Sequence, residues 1–232
     1  NMRKQFTVAM QCCQDYPGTI DQEISPDALN DSMLQLFDIL ETLAQEDGQA
    51  AGLLQHEINN LPEYGLGLLA KLVEYAQLTG CQESSTSFEK LTIELAAWFA
   101  RQELIIDDIE ILVNAISNTA DRTHNHQQLA ELVKIINVIT EVISPEIKTD
   151  SDKSNPGRPW RVLNLNQAII ATRSLDPALM ESVFEQLVFR LPEDAPGFFA
   201  EGMEQMEIID YPDHVRNVMQ TYYQMTNQPT LH

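Results

Sequence analysis

The chain has 232 residues, 44% of them hydrophobic, so it can bury a substantial core and belongs with globular rather than disordered proteins. Fourteen basic residues against 35 acidic ones give a formal net charge of −21. A field of that sign repels phosphate backbones and anionic lipid headgroups, so neither nucleic acid nor a membrane surface is expected as a partner.

No run approaches the roughly eighteen apolar residues that span a bilayer. The three cysteines, adjacent Cys12 and Cys13 and solitary Cys81, form no CxxC pair, and an odd count suits no closed disulfide framework. Reduced thiols in a cytoplasmic protein are therefore the expectation, with Cys12 and Cys13 as small core-filling residues.

In chain order, Gln5–Gln14 fits both a strand and a helix period, and the absence of a pairing strand favours a short helix or extended arm. Ser25-Pro26-Asp27 then carries a capping hydroxyl, a proline for the first turn and a favourable acid. Leu29, Met33, Leu36, Phe37, Leu40 and Leu43 continue as one apolar stripe to about Glu46. Asp47-Gly48 ends it, and Ala50–Ile58 reads as a shorter helix. Pro62 and Glu63 open a third long helix closed by Gly80. Within it, Gly65 and Gly67 lack the strand and third glycine of a phosphate loop, so close helix contact or simple tolerance explains them.

Ser85 or Ser87 is placed to cap the next helix, with Trp98 as a core anchor. Ile109–Ile116 follows, then a polar loop over Asn118–Gln127, then the most hydrophobic helix, from Leu129 to Val142. Ser144–Arg161 is polar and rich in proline, lacks apolar periodicity, and reads as a domain boundary. Asn164 or Asn166 can cap a short helix beyond it. Asp176-Pro177, Asp194-Ala195-Pro196 and Asp210-Tyr211-Pro212 mark three further helix starts, each pairing a capping acid with a first-turn proline.

These elements predict an all-α protein: a multi-helix array of antiparallel helical hairpins, α-solenoid-like or a compact bundle, of about nine or ten helices. The expected organisation is an N-terminal arm or short helix over residues 1–24, then an acidic helical domain over 25–144. A linker or strap follows over 145–163, a C-terminal four-helix unit over 164–226, and a tail over 227–232. No tetratricopeptide, ankyrin or leucine-rich spacing is present.

Catalytic signatures are absent: no phosphate-binding GxxxxGK[ST], no GxSxG elbow, no HExxH, and no Glu three residues before any histidine. No catalytic residue and no cofactor is expected. Asp121, His124 and His126 form the one metal-like spacing, for Zn²⁺ or Ni²⁺ with a ligand from elsewhere, against ordinary exposed side chains with Asp121 or Asn125 making turn contacts. The acid-free stretch Lys153–Leu175 holds Arg158, Trp160, Arg161 and Arg173, a combination suited to an anion or an acidic partner segment. The competing explanation is that these arginines neutralise the chain's own carboxylates.

The functional expectation is a non-enzymatic helical scaffold or adaptor that binds another protein, or itself as a homodimer. Met203, Met206, Met219, Tyr222, Tyr223 and Met225 supply adaptable and aromatic side chains suited to an interface. The alternative is an enzyme or small-ligand-binding protein that holds a phosphate or carboxylate with the arginines of residues 158–173, with Glu201 or Glu204 moving protons.

Overall fold

A computed structural model describes residues 1–14, 25–45 and 55–227. The expected stops at Tyr16–Gly18 and Asp47–Gly48, the start of the Ala50–Ile58 helix, and the tail beyond Asn227 lie outside the described residues. The protein is an all-α helical array. Among the described residues the helices are α1 (Met2–Gln14), α2 (Pro26–Gln45), α3 (Gln55–Asn59), α4 (Leu61–Leu78), α5 (Gln82–Arg101) and α6 (Glu110–Arg122). They continue as α7 (His126–Glu141), α8 (Pro145–Lys148), α9 (Pro159–Arg173), α10 (Pro177–Arg190), α11 (Ala195–Ile208) and α12 (Asp213–Asn227). The only β-type pairing among the described residues is one isolated parallel bridge between Ile106 and Ile143. No described helix is long and apolar enough to cross a membrane.

The chain divides into two compact units. The first comprises residues 1–119 and 138–149, the second 120–137 and 150–232, so the division falls within α6, within α7 and just after α8.

In the first unit, α4 packs on α5, α1 on α5, and α2 on α4. The N-terminal segment resolves to a helix because its apolar face has a place to go. Phe6 is fully buried against Phe37 at 5.6 Å and Phe88 at 6.1 Å between ring centroids. Arg3 reaches across to Asp38 at 2.6 Å and Glu41 at 3.0 Å, and lies over the Phe37 ring. Gly65 and Gly67 divide the two explanations between them. A Cβ on Gly65 would fall 2.9 Å from Leu36 Cδ2 and 3.1 Å from Leu95 Cδ2, so the bare backbone lets α4 approach α2 and α5. At Gly67 nothing lies within 4 Å, and glycine there is merely tolerated.

In the second unit, α9 packs on α10, α11 on α12, and α10 on α12. Phe184, Phe198, Phe199 and Tyr222 form one aromatic cluster, with Phe184 at 5.0 Å from Phe199 and 5.3 Å from Tyr222. Truncating a fully buried ring such as Phe184 or Phe199 to alanine costs about 3–5 kcal/mol, which makes this cluster the energetic centre of the unit. Gly202 lets α12 come close to α11: an added Cβ would sit 2.6 Å from Met219 Sδ.

Several boundaries differ from the sequence expectation. The α5 helix starts at Gln82, ahead of Ser85 and Ser87. The early start places Ser84 in the interior, where its hydroxyl donates to the Ala9 carbonyl at 2.7 Å and ties α5 to α1. The α6 helix runs on to Arg122 and α7 begins at His126, so the polar loop shrinks to residues 123–125. Asn125 does make the anticipated turn contact, accepting from Gln128 N at 3.0 Å. The α9 helix begins at Pro159, whose missing N–H is harmless in a first turn. Asn164 is therefore not a cap but a buried helical residue that donates to the Trp160 carbonyl. The segment read as a linker over 145–163 contains α8 and the first turn of α9.

Candidate functional site

Asp194 stands at the start of α11, yet its side chain makes no capping bond. Its carboxylate instead receives Arg158 Nη2 at 2.8 Å and Arg161 Nε at 2.6 Å. Arg158 also donates to Asp150 Oδ1 at 2.6 Å and to the Asn155 carbonyl, and Arg161 donates to the Pro156 carbonyl. The Arg158 side chain is only 10% exposed and that of Asp150 8%. One strap, residues 150–158, is thus fastened to the start of α11 by a network of two arginines and two aspartates.

The electrostatics follow from the geometry. The Asp150 hydrogen bond, with attraction from both aspartates, raises the Arg158 pKa despite desolvation. Burial by itself would raise the Asp194 carboxyl, but Arg161 and Arg158 outweigh it and hold that pKa below the usual carboxylate value. Trp160 is buried, with the Arg190 guanidinium over its ring at 5.4 Å, and offers no exposed face for stacking. Arg158, Trp160 and Arg161 therefore sit together, committed to internal contacts.

Arg173 lies apart from them. It donates to the Thr123 carbonyl at 2.9 Å and approaches the exposed Asp121 carboxylate at 3.9 Å, while His126 Nδ1 lies 2.7 Å from the Arg173 carbonyl. Asp121, at the end of α6, and His126, at the start of α7, are thus engaged around the end of α9, and His124 is exposed. They do not converge as a ligand set: among the described residues, no group of three or more His, Cys, Asp or Glu is placed to hold a metal ion.

Arg173 also lines a cleft of about 330 Å³ between α9, α11 and α12. Ile169 borders it from α9, Met219 from α12, and Phe198, Glu201 and Met206 from α11, with Ile209 and Tyr211 at the helix exit. The lining is predominantly apolar. Two rim residues stay half exposed, Ile169 at 45% and Ile209 at 46%, and Ile208 beside them is 77% exposed. Arg216, from α12, stiffens this corner by donating to the Met206, Ile209 and Tyr211 carbonyls, satisfying the open end of α11. Spacing showed Met206 and Met219 as helix-face residues. That they border an open cleft depends on how α9 lies against the α11–α12 hairpin, which no local pattern encodes.

A second cleft, of about 460 Å³ in the first unit, brings together Glu63, Asp107, Asp108 and Glu110. Asp108 Oδ1 accepts from Glu110 N at 3.0 Å and so serves the start of α6. A buried carboxylate, Glu89, accepts from Asn118 at 2.6 Å.

Cys13 is a free, buried thiol whose pKa is pushed up by desolvation, against weaker opposing hydrogen bonds from Ser84 and Thr79. Cys81 is disulfide-bonded, which corrects the expectation of three reduced thiols. No protein-family model, curated protein or solved structure matches the chain.

Proposed function

We propose that the chain is a non-enzymatic helical interaction module that docks another protein in the cleft between α9, α11 and α12. The observation that carries this reading is the apolar, methionine-lined cleft bordered by half-exposed Ile169 and Ile209. Apolar side chains contiguous at a concave surface are what a protein partner covers, and methionine adapts its shape to the side chain that enters. A second copy of the chain is the weaker occupant, because a protein carrying −21 repels itself. The same charge keeps nucleic acid and anionic membranes out of the proposed partners.

A second reading has one observation in its favour: Arg173 and Glu201 reach the same cleft, so a small anion could be held by Arg173. Arg158 and Arg161 contribute little to it, because their donors already serve Asp150, Asp194 and backbone carbonyls. A cytoplasmic setting was the sequence expectation, and the disulfide at Cys81 weighs against it, since disulfides persist in oxidising compartments.

The test uses the full chain and a charge-neutral cleft variant, Ile169→Gln with Ile209→Gln. Cross-linking in lysate should recover a protein with the wild type and lose it with the variant. Recovery that is indifferent to the variant overturns the reading. So does thermal stabilisation by phosphates or carboxylates without any variant-sensitive partner, which supports the anion reading instead.

A further inference from the structure

The charges around the cleft give its occupant a chemistry. From Ala195 to Val215 the chain carries Glu201, Glu204, Glu207, Asp210 and Asp213 and no lysine or arginine. All five carboxylates are exposed, and Asp210 is paired with Arg216 at 3.3 Å, which leaves Glu201 and Glu204 as the acids beside the cleft. On the α11 helix, Phe198, Glu201, Gly202, Gln205, Met206 and Ile209 recur at three- and four-residue spacing as the face that lines the cleft. Glu204 and Ile208 border that face on the side of Glu201, and Glu207 lies opposite. The cleft thus presents an apolar floor of Met206, Met219 and Phe198 beside an acidic flank. Among the described residues lining it, Arg173 is the one cation, and its guanidinium is turned to the Thr123 carbonyl and toward Asp121.

We propose that the occupant is a basic amphipathic helix, whose large apolar residues enter the cleft while its lysines or arginines lie along the acidic flank of α11. This rests on the docking reading above and adds the partner's chemistry to it. A volume of about 330 Å³ is at the lower end for a whole small-molecule site but admits a pair of large apolar side chains. Neighbouring positions at i and i+4 of a helix present such a pair on one side. The flexible thioethers of Met206 and Met219 let the floor adjust to either aliphatic or aromatic anchors. Opposite charge across the rim speeds encounter and selects against acidic helices, and that contribution is screened by salt.

The test is fluorescence anisotropy of the full chain with three peptides of about 18 residues, long enough to form a helix on binding. One is an amphipathic leucine–lysine helix, one carries glutamate in place of lysine, and one is the leucine–lysine composition scrambled so that no apolar face forms. The amphipathic lysine peptide should bind. Its affinity should fall at least about tenfold in the Ile169→Gln, Ile209→Gln variant, which alters no charge and only half-exposed positions. Glu201→Gln with Glu204→Gln should weaken it further and flatten its salt dependence. Equal binding of the glutamate peptide overturns the basic partner and leaves the docking cleft standing. Equal binding of the scrambled peptide, or indifference to the isoleucine variant, reduces the association to bulk charge attraction and overturns the proposal. If no peptide binds, the basic-helix occupant is refuted, and variant-sensitive partner capture decides the docking reading independently.

Discussion

Replacing Arg158 with methionine keeps an unbranched stem of similar reach and removes the guanidinium that joins Asp150 to Asp194. Asp194 would keep its 2.6 Å bond from Arg161, but Asp150, 8% exposed at its side chain, would lose a 2.6 Å charge-assisted partner. Removing one member of a buried ion pair costs about 3–5 kcal/mol, because the other charge stays desolvated without compensation. The retained Arg161 contact places the expectation at the lower end, about 3 kcal/mol. For a chain of this size, each kcal/mol moves the melting midpoint by about 2–4 °C, so a fall of roughly 6–12 °C is expected by far-UV circular dichroism. Adding Asp150→Asn removes the stranded charge and should restore about 1–2 kcal/mol of the loss. A fall of less than about 2 °C for Arg158→Met, or a double variant no more stable than the single one, would refute the claim that this arginine fastens the strap.

Two glycines two residues apart should respond to alanine with opposite signs. Gly65→Ala is expected to destabilise by about 1–3 kcal/mol through overpacking against Leu36 and Leu95, whereas Gly67→Ala should stabilise by about 0.5–1 kcal/mol; urea denaturation checks both. Asp194 makes stability depend on pH in a set direction. Its folded pKa lies below the ordinary value of 3.8, so its contribution is present above that pH and is lost as pH falls through the folded value. Asp194→Asn should therefore be less stable than wild type near neutrality, and melting curves across acid pH should show the gap closing below pH 3.8; a constant gap would contradict the assignment. A disulfide at Cys81 removes its thiol, while Cys13 stays free. Titration of the unreduced, denatured protein should count fewer than three thiols per chain, and three would show the bond does not form.

The three aspartate–proline signatures show what was legible and what was not. In the sequence, Asp176, Asp194 and Asp210 read as the same capping device. Asp176 behaves as one, accepting from Leu179 N at 3.1 Å. Asp194 is taken up by arginines 33 and 36 positions earlier in the chain, and Asp210 lies ahead of α12, which starts at Asp213, with its carboxylate 3.3 Å from Arg216. A carboxylate chooses among donors by distance and desolvation, and a charged guanidinium held close competes successfully with a backbone N–H. The arginine-rich stretch looked like an anion site for the same reason: sequence lists its cations without the internal carboxylates that meet them.

The helical class of this protein, the position of most of its helices and the acidic surface around an apolar core were all legible from residue order. Those properties come from interactions within a few turns: apolar periodicity, prolines in first turns and capping side chains. Which glycine is a contact and which a tolerance emerged only from the packed chain, as did the binding of the strap's arginines by Asp150 and Asp194. The same holds for Met206 and Met219, buried side chains that also floor a cleft, and for half-exposed Ile209 at its rim. Each depends on residues distant in the chain arriving at one point, and a helical pattern specifies which face is apolar but not what that face will meet.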